Sequence, residues 1–199
     1  MTRPVGSLHI TGDPDADALL NENFDALVVG MLLDQQVPLE WAFKGPHTLR
    51  ERLGHVDPTT IAALDEDEFV AVCCAKPAIH RFPAVMGRRI HSLCGVLADE
   101  WGGHAASLWA DGCDAAILSK RLRSLPGFGP EKTQIFIALL AKRFDVRPEG
   151  WESAAGVFSD AEPRTIADCA DEASLAAVRE WKAAQRAAGK DKQGRPTSA

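Results

Sequence analysis

The chain contains no tyrosine, so its aromatic content rests on eight phenylalanines and five tryptophans. Its five cysteines, at positions 73, 74, 94, 113 and 169, are odd in number and irregularly spaced. That pattern gives neither a disulfide framework nor a zinc-ligand spacing. Cys73 and Cys74 are adjacent, which is poor geometry for two ligands on one metal, and no metal site is expected. No uncharged apolar run approaches the roughly 18 residues that a membrane-spanning helix requires. The opening Met1-Thr2-Arg3-Pro4-Val5-Gly6 lacks an apolar signal core. These absences lead to the expectation of a cytoplasmic protein with no membrane partner. Alternating strand patterns and internal repeats are also missing, and Leu8-His9-Ile10-Thr11 is the one short stretch with a weak tendency to pair as a strand.

What is present is apolar spacing at helical period. With 199 residues and 46% hydrophobic content, the chain can bury a proper core as a single unit. Helices are predicted over about 14–22, 24–34, 38–53, 58–64, 66–74, 83–101, 104–110, 113–125, 130–144 and 173–188, separated by Gly, Pro and Asp signals. The fold class expected is therefore all-α. Asp65-Glu66-Asp67-Glu68 reads as the first turn of a helix, where negative charge opposes the dipole favourably. The polar tail over about 190–199 has no apolar face and is expected to be flexible.

The formal net charge is −6, but it is unevenly distributed: −9 over residues 1–75, +5 over 76–143 and −2 over 144–199. A positive middle segment is compatible with a polyanionic partner despite the negative total. Arg81, Arg88, Arg89, Lys120, Arg121, Arg123, Lys132, Lys142 and Arg143 form the pool of cations there. For Lys142 and Arg143, at a helix C-terminus, a solvated surface role is the simpler expectation.

That positive segment contains Leu125-Pro126-Gly127-Phe128-Gly129-Pro130-Glu131-Lys132-Thr133, a turn between two predicted helices. Pro130 suits a first helical position. The glycines permit positive φ and close backbone approach, so N–H groups at the start of the second helix can converge on a phosphate. Lys132 and Thr133 would add a charge and a hydroxyl near the same point. A purely structural αα-hairpin is the alternative for this segment taken alone.

The segment resembles the helix-hairpin-helix of the HhH-GPD superfamily of base-excision DNA glycosylases. Phe24 to Val37, ending in Asp34-Gln35-Gln36-Val37, is similar to that family's early helix and glutamine-bearing loop, most of all in its 3-methyladenine glycosylase branch. Pro83 to His91, with Arg88 and Arg89, resembles its basic helix before the hairpin. The three matches occur in the family's order and cover roughly residues 20–145. The resemblance implies a two-lobed helical fold built as one unit over 1–199, with the hairpin at 113–144. It also implies a monomer acting on double-stranded DNA that contains a damaged base, located with the nucleoid.

The implied reaction is hydrolysis of the bond between a damaged, perhaps alkylated, base and deoxyribose after the nucleotide has been extruded from the stack. Gln36, with Gln35 beside it, matches the residue that fills the gap; Gly127, Gly129, Lys132, Thr133, Arg88 and Arg89 are expected to contact DNA. The position of the family's catalytic aspartate falls on Glu149. If 149–163 is an insertion, Arg164-Thr165-Ile166-Ala167-Asp168 resembles the approach to that aspartate, so Asp168 is preferred, with Glu149 and Asp160 as alternatives. Strand-cutting members carry a Schiff-base lysine two residues after the second glycine, where this chain has Glu131, so a monofunctional enzyme is expected. Members with an iron–sulfur cluster hold it through four cysteines near the C-terminus, whereas only Cys169 lies beyond the hairpin here; no cofactor is expected. For base stacking, Trp41, Trp101, Trp109, Trp151 and Trp181 are available, Trp101 and Trp109 reading as core and Trp151 as the first candidate. A damage-binding protein without turnover is the alternative function.

Overall fold

A computed structural model describes residues 8–196. Ten α-helices occur among them: α1 (Pro14–Glu22), α2 (Phe24–Leu33), α3 (Leu39–Leu53), α4 (Pro58–Ala62), α5 (Glu66–Cys74), α6 (Pro83–Trp101), α7 (Ala115–Ser124), α8 (Pro130–Phe144), α9 (Trp151–Ala155) and α10 (Glu172–Ala187). Tight 3-10 turns at Ala105–Leu108, Gly156–Ser159 and Ile166–Asp168 join them. The fold class is all-α: the described residues contain no strand, and Lys190 and Pro196 form a single isolated bridge.

Local chemistry explains where the helices start. Asp13, Asn23, Asp57, Asp65, Asp114 and Asp171 each accept a backbone N–H of the first turn that follows them. Pro14, Pro58, Pro83 and Pro130 open their helices where the missing N–H costs nothing. α2 is apolar on every side, and Ala26 through Leu33 are all buried, the pattern of a helix at the centre of a molecule. α3 and α1 pack against it, α6 gathers α4 and α5, and α8 carries α7, α9 and the Ile166–Asp168 turn on which α10 rests.

Three expectations change. Residues 149–163, where no helix is predicted, contain α9 and a 3-10 turn, because Trp151, Ala155 and Phe158 turn their apolar surface to the core. Leu8–Thr11 forms no strand; its amides instead bond Asn21, Asp17 and the Cys169 carbonyl. The tail from Lys190 is folded as far as Pro196, where Asp191 accepts the Gln193 and Arg195 amides and pairs with the Arg195 guanidinium; residues 197–199 lie outside the described part. No helix among the described residues is long and apolar enough to cross a membrane.

Candidate nucleic-acid interface

The hairpin turn is seated on α2. Gly127 has φ +81°, and a Cβ there would fall 2.2 Å from Leu32 Cδ1, so this position requires glycine for both conformation and packing. Gly129 differs. It is exposed, has φ −79°, and a Cβ there would meet nothing within 4 Å. It opens α8 without any side-chain cap, so the first-turn amides and the positive end of the helix dipole face outward.

Two adjoining cavities flank this turn. The first, of about 710 Å³, is lined by Gly127, Gly129, Glu131, Lys132, Arg123, Arg89, Gln35 and Asp34 among others. The second, of about 870 Å³, lies between the 34–40 loop and α10, where Gln36, Val37 and Leu39 face Val178, Trp181 and Lys182. Asp34, Gln35, Glu131 and Lys192 line both.

Within this groove Gln35 and Gln36 behave differently. Gln35 is held from three sides: its Nε2 donates to the Leu32 carbonyl at 3.1 Å, its Oε1 accepts from Arg89 at 3.0 Å, and its carbonyl meets His80 Nε2 at 2.9 Å. Burial pushes the His80 pKa down, which favours the neutral ring. Gln36 is exposed, with the left-handed φ of +56°, a conformation that costs a non-glycine residue about 1–2 kcal/mol. The loop thus anchors one glutamine and projects the next.

Several expected DNA ligands are otherwise engaged. Lys132 turns inward, and its Nζ donates to the carbonyls of Met31 (2.5 Å), Leu32 (3.0 Å) and Asp34 (3.5 Å), completing the C-terminus of α2. Burial pushes its pKa down to about 8. Thr133 is buried and its hydroxyl has no partner, so it cannot reach a phosphate in the groove. Arg88 pairs with Glu66 and Asp67 of α5 and lines neither cavity. Arg121 forms a two-pronged pair with Asp111 and lies over the Trp101 ring. Arg89 and Arg123 remain in the groove.

The three carboxylates favoured by the sequence all lie elsewhere. Asp168 Oδ2 accepts the Arg164 and Thr165 amides at 3.0 Å, while Oδ1 meets Lys142 Nζ at 2.7 Å. Both side chains of that pair are largely buried, 11% and 14% exposed, so Lys142 is not the solvated surface cation its position in α8 suggests. Burial disfavours the Asp160 charge, yet the Arg164 guanidinium holds this carboxyl below the ordinary range. Glu149 is exposed, and its carbonyl accepts the Ala115 amide. Trp151 packs against the core and lines neither cavity, whereas Trp181 lines the second, with Arg164 over its ring at 5.0 Å.

The groove acids are Asp34, Glu40, Glu131 and Asp191. Glu40 pairs with Arg179; burial opposes its charge but the guanidinium keeps its pKa low. Glu131 stands in the first turn of α8, where the helix dipole favours its charge, and its oxygens meet Lys192 Nζ (3.4 Å) and Gln193 Nε2 (3.1 Å). In the sequence Glu131 is only the absence of a nucleophilic lysine; the 34–40 loop and α10 complete the groove that its carboxylate lines. No family model matches the chain, and no curated protein matches it.

Proposed function

We propose that the protein is a monofunctional base-excision DNA glycosylase, binding duplex DNA through the Gly127–Glu131 turn and releasing a damaged base in the adjoining groove. The observation that carries this reading is the convergence on one groove of an open glycine turn at a helix N-terminus, an exposed and projected Gln36, and a carboxylate at Glu131. Phosphate meets the Gly129 face and the α8 amides, with Arg89 and Arg123 supplying charge. Gln36 enters the space left by the extruded nucleotide. Glu131 occupies the position at which strand-cutting members of the HhH-GPD superfamily carry the lysine that attacks the sugar; a carboxylate there stabilises the positive charge that develops on the sugar as the base departs. The gathering of α4 and α5 by α6, and of α7 and α9 by α8, accords with the two-lobed architecture of that superfamily.

A second reading, a damage-binding protein without turnover, is favoured by Lys192 and Gln193 already engaging Glu131. One set of measurements separates the two. Duplexes with single modified bases are incubated with the protein and base release is followed by mass spectrometry, alongside DNA affinity as a function of salt. Gly129→Leu should weaken affinity across all sequences and reduce the salt slope, at a folding cost of only about 1 kcal/mol from the poorer N-cap. Glu131→Gln should lower release by roughly a hundredfold without losing DNA affinity. Unchanged affinity in a folded Gly129→Leu removes the turn from the interface, and release that survives in Glu131→Gln removes the carboxylate. Absence of release on every duplex leaves the binding reading.

A further inference from the structure

The second cavity carries an unassigned cation. Lys182, on α10, lines the cavity beside Trp181, Val178 and Leu39, and among the described residues its ammonium has no hydrogen bond or ion pair. The surrounding charges do not compensate for it. Arg179 is matched by Glu40 and Lys192 by Glu131, while Asp191 is matched by Arg195 outside the cavity. Arg186 and Lys190 add further cations without an ion pair, so on this wall only Asp34 stands against Lys182, Arg186 and Lys190 without an ion pair of its own. A donor-only group held in a partly apolar wall is an incomplete interaction, and it is completed by an acceptor that carries or develops negative charge.

We infer that Lys182 recognises the extruded base through a keto oxygen and stabilises the base as it leaves, so that the substrates are neutral, carbonyl-bearing lesions from deamination or oxidation, not cationic alkylated purines. The inference rests on the glycosylase reading. In the step concerned, the bond from C1′ to the base nitrogen breaks and its electron pair departs with the base, spreading onto the keto oxygen. Water then adds to C1′ and loses one proton, and the base gains one, so the products are the free neutral base and an abasic sugar. Lys182 donates a hydrogen bond to that oxygen throughout and transfers no proton. Burial pushes the pKa of Lys182 down, so an oxygen that becomes anionic also restores a favourable setting for its charge. An alkylated purine brings its own positive charge toward Lys182 and Lys190, an arrangement that repels.

The test is single-turnover base release from duplexes carrying one uracil, hypoxanthine, 8-oxoguanine or 3-methyladenine, the last a cationic purine without a keto oxygen, by wild type, Lys182→Met and Lys182→Arg. A keto lesion should be released at least about tenfold faster than 3-methyladenine, and Lys182→Met should slow the keto lesion by about tenfold to a hundredfold, the range of one charge-assisted hydrogen bond. Lys182→Arg should recover part of that loss. Release of 3-methyladenine, which offers Lys182 no keto oxygen, should be unchanged or faster in Lys182→Met, a selectivity change that a merely structural role does not produce. Preferential release of 3-methyladenine, or equal losses on all four bases, overturns the inference. Binding of free uracil, followed by saturation-transfer NMR, separates this inference from the enzyme reading. If no duplex is processed but uracil binds wild type and not Lys182→Met, the keto pocket stands and the glycosylase reading falls; if uracil binding is absent or indifferent to Lys182 and no duplex is processed, both fall.

Discussion

At the scale of the residue, Asp168 separates what a sequence position suggests from what its neighbours impose. An aspartate shortly before the last helix, after an apolar approach, fits a catalytic carboxylate. In the folded chain both its oxygens are occupied, one by two backbone amides and the other by the ammonium of Lys142, which also donates to the Asp160 carbonyl at 2.5 Å. Removing one member of a largely buried pair leaves the other charge without compensation, at a typical cost of about 3–5 kcal/mol. Asp168→Asn is therefore expected to lower stability in urea by about 3 kcal/mol while leaving base release per folded molecule unchanged. Near-native stability with a hundredfold loss of release would return the catalytic role to Asp168. The carboxylate was illegible for a physical reason: Lys142 and Asp168 are 26 positions apart, and an ion pair between distant segments leaves no trace in local spacing. Lys132 makes the same point, since the carbonyls that capture it belong to α2, about a hundred positions earlier.

At the scale of the element, legibility was much higher, because helix starts depend on short-range chemistry. The Asp and Asn caps, the N1 prolines and the acidic first turn of α5 are all written within four consecutive residues. α9 escaped because it is only five residues long and is held by tertiary burial, which outweighs its weak local signal. The 34–38 loop between α2 and α3 shows an element doing both jobs. Its anchor, Gln35, is fixed from three sides, and the next residue, Gln36, takes the left-handed region. Gln36→Gly should relieve that backbone conformation, so stability should be unchanged or up to about 1 kcal/mol higher. The same variant should lower affinity for duplexes containing an abasic-site analogue more than for intact duplex. Denaturation in urea paired with the two binding curves checks both halves, and equal affinity losses on the two duplexes would remove the gap-filling role.

At the scale of the whole molecule, charge and burial together set the conditions in which the groove can work. The net charge of −6 opposes non-specific attraction to a polyanion, so the DNA binding proposed for this protein would have to come from the local face around the turn and should weaken steeply with salt. Alkaline pH strengthens the opposition and also acts on the core. Burial pushes the thiols of Cys73 and Cys169 up to about 12, and that of Cys94 upward as well. In the unfolded chain these thiols ionise near pH 8.5. Between about pH 9 and 12 the unfolded state has therefore released protons that the folded state retains, and stability falls as pH rises, by about 1.4 kcal/mol per pH unit for each thiol. Lys132 runs the other way: with its folded pKa at about 8, the unfolded chain binds more protons from about pH 8 to 10.4, and its contribution rises with pH over that window. Lys182, also lowered, adds to the same side. Burial raises the Cys113 thiol too, so four thiols outweigh two lysines, and urea stability should be level or slightly rising from pH 7 to 8.5 and then decline, more steeply above about pH 10.4 where the lysines no longer oppose the fall. Cys73→Ala, which removes one thiol from this sum, should show a shallower alkaline decline than wild type, whatever its stability at pH 7. Parallel wild-type and variant curves above pH 9 would show that Cys73 ionises alike in both states and that its burial does not shape the alkaline limit of the fold.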